Sequence, residues 1–302
     1  MRLFESASEA SVFEDAAWLQ PLSSPPGGRP LCRDGDLGAM AACLSQALKV
    51  GQGRNIVICG KPGTGKTVCA KFLLDEVRRH ADENIVPLAS AYVNAGQTGS
   101  PYYTLLEIVE GLEVSVPESG WQMFRLKQAL GNITKEKAVV IGIDEVDSLL
   151  LDEREPLVYY LNRQPRTTLI LILNKVEEAA ALSSRALSTL QPEFFLLRPY
   201  TPEEAEAILK DRAEKAFRPN TLSPGLLKVV ARAASEAQDL RFGLSVLLSA
   251  GLLAEEEGRT KIVAEDVSQA IHGKTVLGRL RELRALKKRV EATREGRDSQ
   301  FN

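Results

Sequence analysis

Gly60-Lys61-Pro62-Gly63-Thr64-Gly65-Lys66-Thr67 decides how this 302-residue chain is read. The stretch fits G-x-x-x-x-G-K-[ST], a loop whose backbone cradles phosphate groups. Before it, Asn55 to Cys59 is a short apolar run suited to a buried strand. After it, Val68 to Arg79 has helical spacing, with Cys69, Phe72, Leu73 and Val77 on one side. Strand, glycine loop and helix is the context that this motif needs. The glycines let the backbone curl so that its N–H groups face the phosphates, and the helix N-terminus adds partial positive charge. The expected nucleotide-binding set is Gly60, Pro62, Gly63, Thr64, Gly65, Lys66, Thr67 and Val68. Lys66 would reach the β- and γ-phosphates, and the Thr67 hydroxyl would help hold Mg²⁺.

Further strand-like runs lie on either side of helical segments. They are Val86 to Val93, Ala138 to Ile143, Thr168 to Leu173 and Phe194 to Leu197. With the strand before the glycine loop they predict an α/β fold with a five-stranded parallel sheet covered on both faces. A helix is expected from Gly35 to Lys49, others from Tyr102 to Leu112, Trp121 to Leu130 and Pro156 to Leu161. From Thr201 the pattern is helical only, opening with the capping box Thr201-Pro202-Glu203-Glu204. The expected organisation is an N-terminal segment (1–32) packing on the nucleotide-binding domain, that domain (33–198), a small all-helical domain (199–273) and a basic tail (274–302).

Composition sets bounds on the rest. A hydrophobic share of 44% and a charged share of 26% are those of a globular protein that buries a sizeable core. A net charge of −2 gives no global basic bias, so nucleic-acid binding would need a local patch. Cys32, Cys43, Cys59 and Cys69 lack paired zinc spacing; core packing in a reducing cytoplasm fits them better. No run is long enough to span a bilayer, and the acidic N-terminus is no signal peptide, so no membrane partner is expected.

The strand run Val139-Val140-Ile141-Gly142-Ile143 ends in Asp144-Glu145. A carboxylate at the end of such a strand lies beside the phosphate loop in P-loop enzymes. Asp144 would hold Mg²⁺, directly or through water, and Glu145 would polarise the attacking water. Asp147 would cap the following helix or make a local hydrogen bond. Asn174 ends the next strand run, where an amide can bond the attacking water or the γ-phosphate; taken alone, it is an ordinary turn residue.

These motifs, followed in order by Gln238-Asp239-Leu240-Arg241, resemble those of an AAA+ ATPase. Finer stretches resemble the archaeal origin-recognition and cell-division-control family of replication initiators. They include Cys32-Arg33-Asp34, Tyr92-Val93-Asn94, Val116 to Trp121, Leu157 to Leu161 and Pro199 to Glu204. The resemblance runs from about residue 12 to 272. It implies ATP/ADP and Mg²⁺ as cofactors, ATP hydrolysis, and a nucleotide-dependent lid angle that controls binding of double-stranded DNA and replication proteins. It implies that Arg241 is a second sensor of the γ-phosphate and that Tyr200 and Ile208 pack near the adenine. Arg33 then lies in the segment passing the base. Arg185 falls where the family offers an arginine to a neighbouring subunit's nucleotide, the route to self-association; a structural or solvated arginine fits that position as well.

Two departures from the family stand out. Only about thirty residues follow the helical domain, too few for the family's winged-helix domain. The counterpart of the family's DNA-contacting insertion, about Gln97 to Gly120, holds Glu107, Glu110, Glu113 and Glu118 and no Lys or Arg, whereas phosphate contacts need cations. A nucleotide-gated regulator or scaffold without duplex recognition is therefore the alternative. The tail, with Lys274, Arg279, Arg281, Arg284, Lys287 and further basic residues, reads as a solvated amphipathic helix, a nucleic-acid contact or a coiled-coil partner.

Overall fold

The computed structural model describes residues 11–21, 28–117, 120–175, 177–178 and 183–273. The basic tail lies outside the described residues, as does the Arg185 side chain. The chain divides into two compact units, Pro26–Pro199 and a second made of Met1–Pro25 with Tyr200–Asn302.

The first unit is built on five strands: β1 (Ile56–Cys59), β2 (Leu88–Asn94), β3 (Ala138–Asp144), β4 (Thr167–Leu173) and β5 (Glu193–Leu196). They form one parallel sheet in the order β2-β3-β4-β1-β5. Every residue of β1, β3 and β4 is buried, which is why these segments read as continuous rather than alternating apolar runs. One sheet face, with Ile56, Ile58, Ile170 and Ile172, packs against α1 (Asp34–Val50) and α2 (Lys66–Glu83) through Met40, Leu44, Leu73 and Val77. A four-residue α3 (Ala95–Thr98) follows β2. The opposite face, with Val57, Ile141, Leu169 and Leu171, packs against α4 (Pro101–Gly111), α5 (Met123–Glu136) and α6 (Leu151–Asn162). A short α7 (Ser184–Leu190) leads into β5.

One stretch given no element from sequence forms a helix, and one expected helix needs revision. The stretch after β2 opens with α3, because the Asn94 side chain caps it by accepting from the Gln97 N–H at 3.1 Å. The helix expected from Pro156 begins at Leu151 instead and carries Pro156 inside it. Its polar first turn, Asp152-Glu153-Arg154-Glu155, hides the helical spacing that apolar residues would have shown. The cysteine reading holds for Cys43, Cys59 and Cys69, which are free and buried. Burial pushes all three thiols up, that of Cys69 to about 12.

The second unit consists of α8 (Pro202–Ala216), α9 (Pro224–Glu236), α10 (Leu240–Glu256) and α11 (Ala264–His272). The Thr201–Glu204 capping box forms as read, with both reciprocal bonds present. Of the N-terminal segment, the described residues 11–21 belong to this unit and not, as expected from sequence, to the nucleotide-binding domain. Val12 and Leu19 are fully buried there. Phe13 stacks on Phe217 with ring centroids 5.2 Å apart, and the two residues form an antiparallel bridge. The Phe13 ring fits because Gly251 has no side chain; a Cβ there would lie 2.3 Å from it. Glu255 accepts from Ser11 Oγ and the Val12 N–H at 2.8 and 2.9 Å. Lys215 lies 4.7 Å over the Trp18 ring, and Arg212 donates to the Trp18 carbonyl. A short apolar segment names no destination, and only the tertiary pairing with Phe217 supplies one.

Candidate functional site

The parallel register brings three strand ends together. Cys59 of β1 pairs with Leu173 of β4, and Ile143 of β3 pairs with Leu171. The residues that follow these ends are the glycine loop, Asn174 and Asp144-Glu145. Ligand crevices of open parallel sheets lie at such carboxyl ends.

The loop between β1 and α2 has the shape its glycines predict. Gly63 and Gly65 have φ of 79° and 88°, in the left-handed region, and Gly65 caps α2 without a side chain in the way. The N-terminal amides of an 18-residue helix therefore face the loop. Lys66, 5% exposed, donates from Nζ to the carbonyls of Gly60 and Lys61 at 2.7 and 3.0 Å. Thr64 is fully buried and donates its hydroxyl to Lys61 at 2.8 Å, so its side chain shapes the loop from within.

Asp144 is 3% exposed and receives three hydrogen bonds. Thr67 Oγ1 donates to Oδ2 at 2.6 Å, Tyr92 OH donates to the same oxygen at 2.8 Å, and the Glu145 N–H donates to Oδ1 at 2.8 Å. Since the Thr67 proton is given to Asp144, its oxygen lone pair is left for a cation. That donor set fits Mg²⁺, which takes one or two protein oxygens and completes its shell with phosphate and water. Among the described residues no cluster of three or more His, Cys, Asp or Glu forms a metal cage. Cation binding here would thus depend on the nucleotide's own oxygens.

Glu145 stands at the turn out of β3 with φ 52°, in the left-handed region that a non-glycine residue occupies at a cost of about 1–3 kcal/mol. Ser148 stabilises the turn by donating its N–H and hydroxyl to the Glu145 carbonyl at 2.8 and 2.6 Å. The Glu145 carboxylate lies directly against Gly96, where a Cβ would meet Oε2 at 2.2 Å. Gly96 and Tyr92 were not singled out by sequence reasoning. In sequence the β2 end, Tyr92-Val93-Asn94, carries only a family resemblance; its placement beside β3 is the signal that gives it chemistry.

Arg33 is 2% exposed and makes bonds that its sequence reading does not name. Nη2 donates to the carbonyls of Thr64 and Arg198 at 2.9 and 2.5 Å, and Nη1 pairs with Asp36 at 3.3 Å. These bonds tie the phosphate loop to the end of the β5 segment, so the guanidinium braces the loop. Arg33→Met is expected to destabilise the protein by about 2–4 kcal/mol, because the buried Thr64 carbonyl and the part-buried Arg198 carbonyl lose a charged donor. Thermal or urea melts check this, and ATP affinity should fall with loop order.

Asn174 is half-buried, and its backbone N–H donates to Asp147 Oδ2 at 3.1 Å. Asp147 thus bonds across to β4 and does not cap α6. In the helical unit Arg241 sits in the first turn of α10, half-buried; its N–H is capped by Asp239 at 3.0 Å. Tyr200 and Ile208 are buried, and the Tyr200 carbonyl accepts from Ser235 at 3.2 Å. Arg185 is on α7 by its backbone.

Fold and loop geometry together define a P-loop protein of the AAA+ class. Residues 49–190 match the AAA domain family, and residues 206–272 match the Cdc6 AAA+ ATPase-type lid domain. The chain belongs to the ORC1-type, Cdc6-related family of AAA+ DNA replication proteins. It is 30% identical over 277 residues to ORC1-type DNA replication protein 1 of Sulfurisphaera tokodaii, covering 89% of this chain and 68% of that protein. It is 32% identical over 253 residues to the ORC1-type DNA replication protein of Pyrococcus abyssi, covering 79% of this chain and 60% of that one. The chain thus spans about three-fifths of the length of its Pyrococcus relatives. Among solved structures, the Aeropyrum pernix ORC1 protein in complex with DNA has a TM-score of 0.77 at 28% identity, covering 85% of this chain and 69% of that one. No helix among the described residues is long and apolar enough to cross a membrane.

Proposed function

We propose that the chain is an ATP-binding, slowly hydrolysing ATPase of the replication-initiator type, whose nucleotide state governs its helical lid and through it the binding of duplex DNA or replication proteins. The observation that carries this reading is the 2.6 Å bond between Thr67 and Asp144, which joins the phosphate loop to the Asp-Glu strand end in one oxygen-rich centre. Bound Mg²⁺, held by Thr67 and Asp144, supplies charge neutralisation at the phosphates. Lys66, on the backbone of its own loop, is within reach of the phosphates that the loop cradles. Glu145 orients and polarises water, and Asn174 contacts that water or the γ-phosphate. By family resemblance Arg241 reads the γ-phosphate from the lid, Tyr200 and Ile208 line the adenine, and Arg185 serves a neighbouring subunit's site.

The similar Aeropyrum pernix ORC1 protein forms a complex with DNA, which supports a DNA partner here. One observation favours the alternative of a nucleotide-gated regulator without duplex recognition. Glu107, Glu110 and Glu113 are all exposed on and just after α4, in a stretch with no Lys or Arg to meet phosphates. Duplex DNA titrations across salt concentration, with ATP or ADP, separate the two, using the full chain and a version ending at Gly273. The initiator reading expects nucleotide-dependent affinity that falls linearly with log salt. No binding at low salt in either nucleotide state overturns it in favour of the regulator.

A further inference from the structure

Asp147 lies in the 3₁₀ turn Val146–Ser148, two residues beyond Glu145, and none of the roles above uses its side chain. One carboxylate oxygen, Oδ2, accepts the backbone N–H of Asn174 across the strand gap at 3.1 Å. The other, Oδ1, is buried and has no hydrogen-bond partner among the described residues. The carboxylate is also near the root of the phosphate loop. The Cys59 thiol is pushed up by burial, pulled down by Lys66 and pushed up again by Asp147. So one acidic side chain reaches from the turn that carries Glu145 to the residue that ends β4, beside the exit of β1.

An unpartnered buried carboxylate oxygen is costly, and it selects a donor. Asn174 has such a donor. Its side-chain amide carries two N–H groups, and its role needs one of them, rather than its carbonyl, to face a phosphate oxygen. The two faces of an amide are nearly the same shape, so only a neighbouring hydrogen bond decides between them.

We propose that Asp147 is a positioning residue for ATP hydrolysis: it holds Asn174 by the backbone N–H through Oδ2, and when ATP binds, its unpartnered Oδ1 takes up the second N–H of the Asn174 amide, turning the NH₂ group toward the γ-phosphate. This rests on the ATPase reading above. A carboxylate does this because it offers acceptors on both oxygens. An asparagine in its place keeps shape and the backbone bond but presents NH₂ to the Asn174 amide and turns it the wrong way.

The test uses the full chain with ATP and Mg²⁺. Asp147→Asn and Asp147→Ala are compared with the unaltered protein for melting temperature, ATP affinity and single-turnover hydrolysis. The expected result is ATP affinity within about threefold and hydrolysis lowered about 10- to 100-fold in both, the scale set by a misplaced polar group. A purely structural role predicts that the isosteric Asp147→Asn is rescued, and wild-type hydrolysis in that variant overturns the proposal. In an Asn174→Ala background, Asp147→Asn should lower the rate no further, since the group it orients is gone; an additive loss also overturns it. A protein that binds and hydrolyses no ATP in its unaltered form removes the ATPase reading, and this proposal with it. Normal turnover in the parent with normal turnover in Asp147→Asn removes only the proposal.

Discussion

Glu145→Gln is expected to bind ATP as tightly as the unaltered protein and to lose about 10²- to 10⁴-fold in single-turnover hydrolysis, the range removed with a positioned general base. The reason is that this substitution changes the base and little else. On the proposed reading, phosphate contacts would come from the glycine loop and the α2 amides, and Mg²⁺ would be held by Thr67 and Asp144, whose 2.6 Å bond does not involve Glu145. The Glu145 backbone, which makes the turn, donates its N–H to Asp144 and accepts from Ser148, and glutamine preserves both bonds. Equilibrium binding of a fluorescent ATP analogue and a single-turnover assay read the two effects separately. A variant that hydrolyses at the parental rate assigns the base elsewhere.

Gly96→Ala should damage the same step from the opposite side. Its Cβ would stand 2.2 Å from Glu145 Oε2, closer than such atoms approach, and a tight 3.1 Å from Asn94 Oδ1. The carboxylate is the more movable partner, so it is driven from its position while the sheet remains. A displacement of about 1 Å at a catalytic group costs on the order of 10²-fold in rate. Hydrolysis should therefore drop about 100-fold with nucleotide affinity nearly unchanged. Combining it with Glu145→Gln should add little, because both remove one function. A large loss of melting temperature instead would mean that the α3 turn, and not the carboxylate, gave way.

The sequence was informative where chemistry and backbone geometry are written in the same residues. The glycine loop requires its glycines, the buried strands are continuous apolar runs, and Asp144-Glu145 ends one of them; all of this was legible, as was the Thr201 capping box. What escaped was relation in space. Gly96 is one glycine among 22 until β2 is seen paired with β3. Tyr92 reads as a strand aromatic until its hydroxyl is found on Asp144. Arg33, an isolated cation in sequence, has its partners Thr64 and Arg198 about 30 and 165 residues away, so no local pattern could name them. The helix start at Leu151 was missed because its first turn is polar and its one proline imitates a helix beginning.

The docking of the N-terminal segment onto the helical unit also sets an order of assembly. Ser11 and its acceptor Glu255 are 244 residues apart, and the whole nucleotide-binding unit lies between them. At roughly 5–20 residues per second, the segment leaves the ribosome on the order of ten to fifty seconds before its partner exists. During that time Val12, Phe13 and Leu19 have no site to enter, while the Pro26–Pro199 unit has all its strands and can close on its own. The nucleotide-binding unit is therefore expected to fold first during synthesis, with the helical unit completed only after α10 emerges. Mutations in the Phe13–Phe217 pair would then slow a late step and expose an apolar N-terminus for longer, a burden on chaperones rather than on catalysis.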